Sequence, residues 1–249
     1  ARIPLFDPDW LLSQFVGVVS WLFTWFGLVL WVGLLAVGGF MLIGHGDRLL
    51  AQANPQQLLA FDNLILLYLC YAFIKIFHEF GHGFACKKFG RNQGSGGEVH
   101  VLGVMLLVLI PVPYVDASSA WALRSKWQRA VIGAAGIFVE LGIAAIAAII
   151  WVYSAPGTLL NALAYNTMFI ASISTILFNG NPLLRFDGYY VLSDILEMPN
   201  LAQRSKDYLY YLTKKYAFGV RNPRDPSHRV SERPWLVVYG IAAAIYRVI

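Results

Sequence analysis

The feature that most restricts the fold of this chain is a series of apolar runs long enough to cross a lipid bilayer. The first extends from Leu11 to Ile43 without a charged residue. A helix needs roughly 20 apolar residues to cross the hydrocarbon core, and a longer run allows it to tilt. Because 58% of the residues are hydrophobic and only 13% are charged, we predict an integral membrane protein rather than a soluble domain.

Further apolar runs predict an all-α polytopic membrane protein with four to five transmembrane helices. The predicted spans are about 11–43, 58–86, 130–153, 158–178 and 235–249. The third contains Gly133 and Gly136, small residues that let another helix approach closely. Since the last run stops abruptly at Ile249, we expect a single membrane-embedded domain, 1–249, that is a fragment of a longer chain.

The segment from Glu98 to Tyr114 differs from the spans. It is rich in Val and Leu, but Pro111 and Pro113 interrupt it and it is too short to cross as a helix. Its β-branched residues favour a small β-hairpin. Such a hairpin is tolerated near the membrane only where it is interfacial, or re-entrant and enclosed by protein or water.

We attribute the net charge of +5 to the topology of a membrane protein and not to a nucleic-acid-binding function. Fifteen of the 19 basic residues lie in two segments between predicted spans, 87–129 and 185–233. Loops rich in Lys and Arg remain on the cytoplasmic side, so both segments should be cytoplasmic. Residues 201–216 read as an amphipathic helix, and we expect an interfacial segment over about 191–233.

A metal-binding pattern lies in the second span, in the stretch His78-Glu79-Phe80-Gly81-His82. Two histidines at i and i+4 share one helix face, where both can reach a Zn²⁺ ion. Glu79 then lies beside the metal as a general base that accepts a proton from water. The simpler alternative is a pair of hydrogen-bonded histidines, but ionisable groups in a membrane helix are costly and usually functional.

A catalytic zinc needs a third protein ligand. The fourth span ends on the same cytoplasmic side as His78 and His82, and Asp187 follows it at matching depth. Pro182 and Gly188 break the helix there and allow Asp187 to turn inward. Two alternatives remain: a surface ion pair of Asp187 with Arg185, and Cys86 as the third ligand.

The first motif, together with Asn179-x-x-Pro182-x-x-x-x-Asp187-Gly188, resembles the site-2 protease family of intramembrane zinc metallopeptidases. The resemblance covers roughly 58–190 and is closest to a bacterial branch linked to peptide export and membrane-fusion adaptors. It implies that His78, His82 and Asp187 bind zinc, and that Glu79 is catalytic. It also implies that Asn179 contacts the substrate or the oxyanion, a role for which Asn181 is a second candidate.

The same resemblance sets the expected activity and surroundings. It implies an intramembrane endopeptidase in the bacterial cytoplasmic membrane, with its site toward the cytoplasm. The expected partners are a membrane protein or peptide substrate, the lipid bilayer and an export-system adaptor.

One position departs from the family pattern, since Glu140 stands where a neutral amide is common. It is either a second acid at the site or a protonated glutamic acid hydrogen-bonded between helices. Two other functions remain open: a non-proteolytic scaffold of an export system with a structural metal, and a hydrolase of the prenyl-protease kind. The latter would take Glu140 as its third zinc ligand.

Overall fold

The computed structural model describes residues 2–58, 60–94, 97–107, 110–221 and 223–248. The protein is mostly helical and has a small antiparallel sheet, which confirms this part of the prediction. Within these residues, four helical stretches are long and apolar enough to cross a membrane: Trp25–Gly44, Asn63–Arg91, Lys126–Tyr153 and Leu159–Asn179.

Ten α-helices are found in the described residues. They are α1 Asp9–Val19, α2 Trp25–Gly44, α3 Gly46–Gln52, α4 Pro55–Leu58, α5 Phe61–Gln93, α6 Lys126–Tyr153, α7 Leu159–Ile173, α8 Asp187–Ile195, α9 Leu201–Leu212 and α10 Arg233–Val248. A π-helical turn, Ser174–Asn179, extends α7. The predicted fifth span corresponds to α10, whose 16 residues make it shorter than the four long helices.

The predicted single span from Leu11 to Ile43 is wrong, because the chain breaks between α1 and α2. Thr24 adopts an extended backbone (φ −106°, ψ 170°), and its side chain accepts a hydrogen bond from the N–H of Gly27. A hydroxyl that caps a helix in this way starts a new helix rather than continuing the old one. A residue other than glycine would clash at position 27, because its Cβ atom would lie 2.4 Å from the carbonyl oxygen of Leu22.

The sheet contains the predicted hairpin and one strand that was not predicted. Its strands are β1 Arg2–Phe6, β2 Leu102–Leu107 and β3 Ile110–Val115, in the order β1-β2-β3, and both pairings are antiparallel. The missed strand, β1, comes from the start of the chain. Pairing over so long a sequence distance leaves no local signal in the sequence.

Helices α5, α6 and α7 pack together and form the centre of the fold. Small residues allow their close approach: a Cβ at Gly81 of α5 would lie 2.8 Å from Val139 and 3.0 Å from the carbonyl oxygen of Ala135, both on α6. Outward faces carry exposed apolar side chains such as Phe40 and Phe73. Contiguous apolar surface of this kind is rare in soluble monomers and suits a bilayer.

Candidate metal centre

His78 and His82 lie one turn apart on α5 and are both buried. Their Nε2 atoms are 3.1 Å from each other. His82 donates its Nδ1–H to the carbonyl oxygen of Ile132 over 2.7 Å. Because a neutral imidazole carries one proton, this hydrogen bond leaves the Nε2 atom of His82 as a free acceptor that faces His78.

Asp187 is the first residue of α8 and lies beside the two histidines. Its Oδ2 atom is 3.1 Å from Nε2 of His78 and 3.5 Å from Nε2 of His82. Gly188 makes this placement possible, since a Cβ there would lie 2.7 Å from the backbone of Gly180. The backbone after α7 and the start of α8 can therefore cross closely and direct Asp187 inward.

These three side chains fit a divalent metal ion. The two nitrogen atoms and the oxygen form a triangle with edges of 3.1, 3.1 and 3.5 Å, and ligands about 2.0 to 2.1 Å from a tetrahedral zinc would lie about 3.3 Å apart. Oδ2 of Asp187 is also buried without a hydrogen-bond donor. Among the described residues, His78, His82 and Asp187 are the one group of three potential ligands close enough to share an ion.

The charges around the centre also favour a divalent cation. Lys75, Glu79, Glu140 and Asp187 provide one positive and three negative side chains around the two histidines. Burial alone would raise the pKa of the Asp187 carboxyl, but the imidazoles of His82 and His78 outweigh burial and lower that pKa below its usual range. Asp187 is therefore anionic, and once both imidazoles are neutral, as metal ligands must be, a divalent ion would bring the group to neutrality.

Glu79 lines a cavity of about 420 Å³ together with His82 and Asp187. Its Oε2 atom accepts a hydrogen bond from the backbone N–H of Val115, at the end of β3, over 2.8 Å. The side wall includes Arg129, which forms an ion pair with Asp194 at 2.9 Å. The cavity therefore contains two of the three potential ligands and a carboxylate whose position is fixed by the sheet.

The structure places Glu140 and Asn179 behind His78. Glu140 is fully buried, and its Oε1 atom lies 3.0 Å from Nδ1 of His78, on the ring edge opposite the potential metal. Asn179 donates its side-chain N–H to Oε2 of Glu140 over 2.9 Å. Glu140 is thus hydrogen-bonded between helices, as one of the two interpretations expected, and does not meet the Nε2 atoms. Its ion pair with Lys75 at 2.6 Å is that of a carboxylate, however, and not of the protonated acid that this interpretation assumed.

Two other candidates lie away from the three ligands. Asn181 accepts a hydrogen bond from the backbone N–H of Leu183 over 2.9 Å, which closes a local turn. Cys86 is buried with its Sγ atom 3.3 Å from the hydroxyl of Ser119. Neither residue lines the cavity that contains Glu79.

Sequence reasoning missed the backbone groups of the site. The carbonyl of Ile132 and the amide of Val115 both orient residues of the His-Glu-Phe-Gly-His motif. Backbone groups carry no signature in the sequence, and these two come from other parts of the chain. The Val115 amide had one indirect signal, since a hairpin was predicted to follow the motif in the sequence.

Gly136 of α6 is predicted to be essential for the position of His78. A Cβ at Gly136 would lie 2.3 Å from Cε1 and 2.5 Å from Nε2 of the His78 ring. We expect Gly136→Ala to displace the imidazole and to weaken zinc binding at least tenfold, as measured by competition with a chelator. Gly142→Ala is the matched control on α6, since its Cβ would lie 3.3 Å from Trp31. Equal zinc affinity in the two variants would contradict this role.

Comparison with known proteins gives no match to a family model, a curated protein or a solved structure.

Proposed function

We propose that this protein is an intramembrane zinc metallopeptidase that resembles the site-2 protease family. The observation that carries the proposal is the convergence of Nε2 of His78, Nε2 of His82 and Oδ2 of Asp187 beside Glu79. These residues belong to a bundle whose long helices are apolar enough to span a membrane. A hydrolytic site at that depth would act on a membrane-embedded or membrane-associated peptide bond.

In this mechanism a bound Zn²⁺ supplies Lewis-acid chemistry and makes water more acidic. Glu79 accepts the proton of the attacking water and delivers it to the leaving amide nitrogen. The Val115 amide holds the Glu79 carboxylate in the cavity. His82 and Asp187 line the same cavity as Glu79 and would hold the ion together with His78, so water and the scissile carbonyl would meet within this cavity.

The outer edge of β3 offers a place for an extended substrate. Antiparallel pairing with β2 directs the backbone groups of residues 111, 113 and 115 outward. Pro111 and Pro113 have carbonyl groups but no N–H, and the N–H of Val115 is bound to Glu79. A substrate strand would therefore pair by donating its own N–H groups to these carbonyls, which would bring it to the metal cavity in extended form.

The hydrogen bond from Val115 gives a test of how the base is positioned. Val115→Pro removes the amide hydrogen but is compatible with the extended strand, because this amide points away from β2. We expect kcat to fall about ten- to a hundredfold, which corresponds to one hydrogen bond to a charged group, while the zinc content is unchanged. Val115→Ala keeps the amide and should remain active. Full activity in the proline variant, or equal loss in both, would contradict this positioning.

The site also bears on where the protein acts. Arg129, in the first of the two basic segments, lines the metal cavity. If those segments are cytoplasmic, the cavity opens toward the cytoplasm of a bacterial inner membrane. A substrate delivered by an export system and its adaptor would reach the site from that side.

Two alternative functions make different use of the same residues. In a non-proteolytic scaffold with a structural metal, Glu79 would have no chemical role, although it is held in the cavity beside the ligands. In a hydrolase of the prenyl-protease kind, Glu140 would have to be a zinc ligand, yet it contacts the Nδ1 side of His78. Both observations favour the peptidase.

The experiment that tests the proposal compares membranes from cells that express the wild type or Glu79→Gln. Mass spectrometry of new peptide termini should detect cleavage products that occur only with the wild type, and these termini should map to membrane segments. Identical sets of termini in the two strains would favour the scaffold.

A further inference from the structure

We propose that Lys75 and Glu140 form a charge-paired unit that positions His78 and strengthens metal binding, and that Lys75 is a positioning residue outside both sequence motifs. The inference rests on the proposed metal site but not on peptidase activity. Lys75 lies on α5, three residues before His78, and Glu140 lies on α6. The two residues are 7% and 0% exposed.

The carboxylate of Glu140 is surrounded by polar groups on both oxygen atoms. Lys75 donates to Oε1 over 2.6 Å, and Nδ1 of His78 lies 3.0 Å from the same atom. Thr175 and Asn179 donate to Oε2 over 2.5 and 2.9 Å. The carboxylate is therefore fixed by groups from two other helical segments, α5 and the π-helical turn, so it can act as a rigid partner for the histidine ring.

His78 needs such a partner because its Nδ1 atom has no other group with which to form a hydrogen bond. Nδ1 of His78 is buried and makes no aligned hydrogen bond, and Glu140 is the group beside it. Metal binding at Nε2 requires the proton on Nδ1, and a carboxylate at Nδ1 favours that tautomer and makes the ring a stronger ligand.

Lys75 makes this arrangement possible in a buried environment. A carboxylate buried at this position without a partner of opposite charge would be costly. The ammonium group of Lys75, which also donates to Ser174 over 2.8 Å, compensates the charge. Lys75 does not line the cavity of Glu79, so it acts through Glu140 and not on the substrate.

A purely structural ion pair between α5 and α6 is the competing explanation. Such a pair would affect the stability of the bundle but not the affinity of the folded protein for zinc. The same helix offers a matched control, because Lys87 is also buried and forms an ion pair with Asp9. Lys87→Met removes a comparable pair from α5 at a distance from His78.

The test is a zinc titration against a competing chelator on the full purified chain, with thermal unfolding measured in parallel. We expect Lys75→Met and Glu140→Gln each to weaken zinc binding about ten- to a hundredfold, as loss of a group that supports a metal ligand typically does. The double variant should bind zinc as Glu140→Gln does, because Lys75 acts only through Glu140. Lys87→Met should keep the wild-type affinity.

Thr175→Val provides a milder variant that removes one donor to Glu140 without leaving a buried charge, and it should weaken zinc binding several-fold. Wild-type affinity in Lys75→Met and Thr175→Val, or losses that add in the double variant, would overturn the inference and leave the proposed function intact. A wild type that binds no zinc would instead contradict the proposed function, and this inference with it.

Discussion

Glu79→Gln is expected to bind as much zinc as the wild type and to hydrolyse its substrate about a thousandfold more slowly, since general acid–base catalysis contributes roughly 10²- to 10⁴-fold. Glutamine has the shape of glutamate but cannot accept a proton from water. It can still accept the hydrogen bond that the Val115 amide donates to Glu79, so the cavity should keep its form. The measurement is the initial rate on a substrate found by terminus mapping, together with the zinc content of the same preparation.

A matched control is Glu98→Gln, which changes an exposed glutamate away from the cavity and should leave the rate unaffected. Unchanged turnover in Glu79→Gln would remove Glu79 from the mechanism. Loss of zinc together with activity would mean that Glu79 supports the metal rather than the proton transfer.

Asp187→Asn is expected to weaken zinc binding by more than the roughly hundredfold effect that follows from the loss of a group hydrogen-bonded to a metal ligand. The substitution keeps the size of the side chain but replaces an anionic oxygen that lies 3.1 and 3.5 Å from the two Nε2 atoms. The remaining two histidines hold an ion weakly, because a catalytic zinc normally needs three protein ligands. Chelator competition followed by metal analysis measures the effect.

Asp194→Asn is the matched control for Asp187, because it lies in the same helix, lines the same cavity and pairs with Arg129. It should keep near wild-type zinc affinity. If Glu140→Gln abolished zinc binding while Asp187→Asn did not, Glu140 would be the third ligand and the prenyl-protease alternative would be favoured.

The spacing of residues along the chain predicted the parts of the candidate site that depend on local geometry. An i, i+4 pair of histidines must share one face of a helix, and His78 and His82 do so on α5. Asp187 was predicted from matching membrane depth, and the structure places it beside both histidines. In each case the relevant constraint, helix periodicity or alternation of membrane spans, can be read from the sequence alone.

Other parts depend on contacts between distant segments, and for these the sequence was insufficient. Nothing near Arg2–Phe6 indicates that it pairs with Leu102–Leu107. The break at Thr24 lies inside an uncharged run, where hydrophobicity is continuous. Only the Thr24 side chain, which accepts a hydrogen bond from the N–H of Gly27, marks the start of a new helix. Composition measures whether a segment can enter a membrane but not where its helices end.

The surroundings of Glu140 show the same limit within the site. Lys75, next to the metal motif, had no assigned role from sequence because its partner lies on another helix, 65 residues away. Asn179 was expected at the substrate, and the structure instead places its amide on Glu140. A family motif can therefore identify residues near a site without specifying which of them faces the metal.

The most direct test of the metal centre is the zinc content of the full chain purified without added metal, measured by mass spectrometry for the wild type and for a variant with both His78→Ala and His82→Ala. We predict about one zinc ion per chain in the wild type, as expected for a single three-ligand site, and almost none in the double variant. A wild type without zinc, or a double variant that retains it, would contradict the assignment of His78, His82 and Asp187 as the metal centre.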